Sequence, residues 1–65
     1  MIADLEIWAC ANHLMEHHGA HALAVATRRA HTLLAEGKLE GHRTFVLIAD
    51  RIRQFEQAAS SDSLN

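Results

Sequence analysis

The stretch Thr44-Phe45-Val46-Leu47-Ile48-Ala49-Asp50-Arg51-Ile52-Arg53-Gln54-Phe55 admits two readings, and the choice between them decides the fold. From Thr44 to Ala49 it is rich in β-branched and aromatic side chains, the composition of a strand. Over its whole length, however, Phe45, Ile48, Ala49, Ile52 and Phe55 recur at spacings of three and four, the period of a helix with one apolar face. Arg43, Asp50, Arg53, Gln54 and Gln57 fill the other side. No second β-favouring run exists for a strand to pair with. The stretch is therefore read as part of a helix over about 39–58.

Working outward, proline is absent and the glycines fall at Gly19 and at the pair Gly37 and Gly41, dividing the chain into three segments of helix-forming composition. A first helix is expected over 4–18, with Asp4 as its N-cap, Glu6 in its opening turn and Gly19 as its left-handed stop. Its inner face carries Ile7, Trp8, Ala11, Leu14 and Met15, with His18 on the same side. A second is expected over 20–36, with a stripe of Leu23, Ala26, Ala30, Leu33 and Leu34 set against His21, Arg28, Thr32 and Glu36, and Gly37 ending it. Short connections favour antiparallel neighbours. The fold class is all-α, a small three-helix bundle, or a helical hairpin pair completed by a partner chain. One domain covers residues 1–58, and the polar stretch 59–65 is expected to be a disordered tail. The expected core is Ile7, Trp8, Ala11, Leu14, Met15, Leu23, Ala26, Ala30, Leu33, Phe45, Ile48, Ile52 and Phe55.

Size and charge narrow the function. A chain of 65 residues holds one domain, and one this small buries only about 60% of the surface its unfolded chain exposes. Cys10 is the sole cysteine, which excludes an internal disulfide framework and fits a reducing compartment. The net charge of −2 lacks the basic excess that phosphate neutralisation favours, which weighs against nucleic acid as a partner. The start carries Asp4 and Glu6 and no basic residue, unlike a secretory signal, and no apolar run approaches the roughly 20 residues of a membrane span. A complete, cytoplasmic protein without membrane attachment is expected.

One string looks like chemistry. His13-Leu14-Met15-Glu16-His17 spells the H-x-x-E-H pattern of inverted zinc proteases, and the i, i+4 histidines reach one ion from one helix face. Two ligands do not make a catalytic site, which needs a third ligand, a free glutamate base and a substrate cleft. The pair also lies opposite the apolar stripe. His13 and His17 are thus weak metal candidates, and no catalytic residue and no cofactor are assigned. His18, on the apolar arc at a helix C-terminus, is the possible pH-sensitive contact. Cys10 reads as an inert small hydrophobe and Trp8 as a core anchor. Arg28 and Arg29, with Arg43, Arg51 and Arg53 across a short break, raise a helix-turn-helix possibility that the third helix's apolar stripe and the negative charge oppose.

The residues Glu6-Ile7-Trp8-Ala9-Cys10-Ala11, His18-Gly19, Val25 through Arg29, and Gly37 leading to Gly41 resemble a family of short alphaproteobacterial helical proteins recorded as a domain of unknown function. The resemblance spans residues 5 to about 55. Members tend to have an acidic residue after the mid-chain glycine and a tryptophan in the third helix, where this chain has Lys38 and Phe45. These departures touch capping and packing. The resemblance implies three helices and no mechanism.

An apolar surplus points to function. Leu5, Val25, Val46 and Leu47 lie outside the helices' inner stripes, more than one small bundle covers easily. These four are the candidate interface of a symmetric homodimer with the third helix near the axis. The expected function is a non-enzymatic interaction or regulatory module that associates with itself, the alternatives being a small DNA-binding regulator and a zinc-binding protein through His13 and His17.

Overall fold

A computed structural model describes the backbone of residues 4–63 and the side chains of residues 4–58. Helix α1 spans Asp4–His18, a single 3-10 turn spans Gly19–His21, and α2 spans Ala22–Ala35. Helix α3 spans Leu39–Ser63. The described residues contain no strand, so Thr44 to Ala49 is helical despite its β-favouring composition. The Thr44 hydroxyl donates to the Glu40 carbonyl at 3.0 Å, a bond available to a threonine inside a helix.

The expectation of three separate helices requires correction. No non-helical residue separates Asp4 from Ala35, so the molecule has two helical stretches, a bent first arm and α3. Gly19 takes φ +56°, a left-handed conformation that bends the arm, and the chain passes directly into the 3-10 turn. The bend returns Ile7 and Ala11 of α1 to the cluster that holds Ala22 and Ala26 of α2 and Ile48, Ala49 and Ile52 of α3. Helix α2 also starts later than expected, at Ala22.

The break between α2 and α3 is complete, and its bonds identify it. Gly37 at φ +78° donates to the Leu34 carbonyl at 3.0 Å, and Lys38 donates to the Leu33 carbonyl at 2.8 Å. These two bonds form a Schellman C-cap, which satisfies carbonyls the helix end leaves free. Gly41 is no break. It sits in the first turn of α3, where a Cβ would lie 3.2 Å from Leu33 Cδ1, so the two helices touch closely just past the turn.

The buried core consists of Ile7, Ala11, Ala22, Ala26, Ala30, Ile48, Ala49 and Ile52, five of eight being alanine. Trp8, Leu14, Met15, Leu23, Leu33 and Phe45, expected inside, are half-buried around it. Two expectations fail. Phe55 is exposed because from Arg53 to Ala58 every α3 side chain is exposed, so no neighbour among the described residues covers this part of the helix. Leu34 is exposed because Leu33 meets α3 at Gly41. Val25, expected on an open face, is half-buried. Helix α3 also runs to Ser63, so the expected disordered tail is wound in helix from Ala59 to Ser63. Leu64 and Asn65, the rest of that tail, lie outside the described residues.

The molecule measures 44 × 22 × 18 Å. A helix with its side chains is ~10 Å across, so the fold is about two helices thick in cross-section. Large side chains therefore have few places to hide.

Replacing Gly37 by alanine forces a Cβ into the left-handed region, where nothing else crowds it. The expected loss is about 1 kcal/mol, a fall in melting temperature of roughly 5 °C for a domain of this size. Thermal unfolding followed by circular dichroism measures it; an unchanged midpoint would contradict the assignment of this cap.

Candidate functional site

The outer side of α3 carries a group of exposed apolar side chains. Leu39, Val46 and Leu47 are exposed there, and with Leu5, Leu34 and Phe55 they make six large apolar side chains between 46% and 79% exposed. With ~100° per residue, Leu39, Arg43, Val46, Leu47 and Asp50 fall within an arc of about 100° on the side away from the core. Arg43 is exposed and has no ion-pair partner among the described residues, while Asp50 accepts a hydrogen bond from Gln54 Nε2 at 2.8 Å.

One edge of this face opens into a groove between α2 and α3. The groove has a volume of about 290 Å³ and is lined by Thr27, Ala30 and His31 on one side and His42, Val46, Ala49, Asp50 and Arg53 on the other. His42 is fixed there, its Nδ1 lying 2.8 Å from the Ala30 carbonyl oxygen. A carbonyl only accepts, so Nδ1 carries the hydrogen, and in the neutral ring Nε2 is the acceptor. Nothing in the H-x-x-E-H string pointed to this histidine. Its partner lies twelve residues back on another helix, a relation that spacing does not reveal.

The histidines that the sequence singled out lie elsewhere. His13 and His17 are exposed on α1 with ring centroids 4.3 Å apart, so the pair does share a face. Among the described residues no three metal-ligating side chains come together. His18 is exposed, which corrects the expectation that it turns toward the core. The left-handed Gly19 that follows it bends the chain at the end of α1, and Glu16, His17 and His18 of that last turn are all exposed. His21 is exposed at the same corner, and Cys10, read as an inert small hydrophobe, is exposed as well.

The arginines are divided in their roles. Arg51 is drawn inward, pairing through Nη2 with Asp4 Oδ1 and lying over the Trp8 ring at 5.6 Å, so it ties the start of α1 to α3. Arg29 lies 5.8 Å over the Phe45 ring and joins α2 to α3. Arg28, Arg43 and Arg53 remain exposed. No described helix is long and apolar enough to cross a membrane.

Comparison of the chain with protein-family models, with curated proteins and with solved structures gives no match.

Two imidazoles offer an ion only two of the four positions that zinc prefers. Calorimetric titration with zinc is expected to give weak binding that His13→Ala abolishes, with the melting temperature unmoved. Stoichiometric zinc surviving dialysis against a chelator would refute it.

Proposed function

We propose that this chain is a non-enzymatic interaction module that works by associating with a second copy of itself through the outer face of α3. The observation that carries this reading is the inversion between core and surface. Alanines fill the centre, while Leu39, Val46 and Leu47 stand exposed on one helix face. Fully burying a leucine or valine contributes about 1.5–3 kcal/mol, so uncovered side chains of this size hold stabilisation that the single chain leaves unused. A patch that meets its own copy across a two-fold axis recovers that stabilisation on both sides at once.

Val25 is half-buried and Leu5 is carried by α1, so neither belongs to the α3 face itself. The interface therefore narrows to Val46 and Leu47, with Leu39 added. DNA binding through the arginines has less support, since Arg51 and Arg29 make contacts within the fold and the other arginines share the surface with Asp50 and Glu40.

Size exclusion with light scattering at micromolar concentration is expected to give a dimer, and Leu47→Asp a helical monomer. Because Leu47 is exposed, the substitution leaves the core untouched. A wild-type chain that stays monomeric as concentration rises would remove the proposal.

A further inference from the structure

We infer that two copies pair through α3 in antiparallel register, with the two-fold axis passing between Val46 and Leu47 and Arg43 of each copy set against Asp50 of the other. The inference rests on the proposed self-association and adds its direction, register and charge code.

The charges choose the direction. Arg43, exposed, and Asp50, half-buried, lie seven residues apart on the same outward arc, one on each side of the Val46–Leu47 pair and equally distant from its midpoint. In a parallel pairing in register, Arg43 meets Arg43 and Asp50 meets Asp50, and like charges placed opposite destabilise. Reversing one copy about the midpoint brings Arg43 opposite Asp50 twice, with Val46 and Leu47 between the two ion pairs. Arg43 has no ion-pair partner among the described residues and so is available to a second copy. Asp50 makes only an i, i+4 bond to the neutral Gln54, which leaves its charge unpaired. Leu39 then falls opposite Gln54 of the second copy, at the outer edge of the contact.

Apolar burial holds such a pair together, and the two ion pairs decide between registers, a division of labour known from helical pairing. The groove beside Val46 lies along one edge of this face, so a second copy on α3 also covers its mouth at His42 and Asp50.

Two experiments test the arrangement. In the first, Arg43→Asp and Asp50→Arg are made singly and together, with dimer dissociation followed by analytical ultracentrifugation. Each single change is expected to weaken the dimer about tenfold or more, and the double change to restore it to within about threefold of the wild type. Single changes without effect, or a double change weaker than both, overturn the pairing. In the second, Cys10→Ser provides a cysteine-free background for Val46→Cys or Leu39→Cys. Position 46 lies beside the axis and is expected to form an intermolecular disulfide on oxidation. The two copies of position 39 are separated by about 22 Å along the helices at ~1.5 Å per residue and are expected not to form one. Cross-linking at both positions indicates a parallel pair and overturns the inference. A dimer that cross-links at neither overturns the register while leaving self-association standing, and a monomer throughout overturns both.

Discussion

Everything in this molecule follows from how closely α2 lies on α3. Ala22, Ala26 and Ala30 recur every fourth residue along α2 and are buried, and Ala49 is buried on α3. A methyl group is the smallest side chain that still excludes water, so helices that meet through alanines approach with their backbones near each other. The Schellman cap at Gly37 and the Gly41–Leu33 contact begin that approach at the turn itself. The consequence is a small core. At ~0.8 kcal/mol per buried methylene, an alanine contributes about 2 kcal/mol less than a leucine would in its place. Ile7, Ile48 and Ile52 are the only large buried side chains among the described residues.

Helix α1 joins this pair by different means. The left-handed Gly19 turns it back, Ile7 and Ala11 dock on the cluster, and Arg51 clamps its start by facing Trp8 and Asp4 together. The exposed ion pair itself is worth little, of order 1 kcal/mol or less. Its use is positional, because the guanidinium spans the two elements at the end of α1 farthest from the bend. Arg51 Nε is buried without a hydrogen-bond partner among the described residues, so the clamp is held by one end of the guanidinium and by the ring. The Arg29–Phe45 contact plays a similar part between α2 and α3.

The same geometry accounts for the surface. A fold about two helices thick, with alanines at its centre, leaves its leucines and valines outside, and α3 carries three of them on one face. The proposed self-association covers these side chains. The single charged residues on either side of Val46 and Leu47 give the face a polarity that a purely apolar stripe would lack.

The sequence by itself determined the helical character, the end of the second helix at Gly37, and most of the α3 face, because helical period and left-handed glycines are local properties that a neighbouring element does not alter. The Phe45–Ile52 stripe carried that information, and Ile48, Ala49 and Ile52 are buried as it requires. Tertiary structure alone decided which members of each stripe are covered. Ala22 is buried and Phe55 exposed because coverage depends on where another helix lies, which the period of one helix cannot encode. It likewise turned His18 outward, drew Arg51 inward and set His42 against Ala30, and it made Gly19 a bend where its residue type equally allows a stop. Each of these outcomes rests on contacts between distant segments, and the physical reason is the same throughout: spacing fixes the direction of a side chain on its own helix, and only packing supplies what that side chain meets.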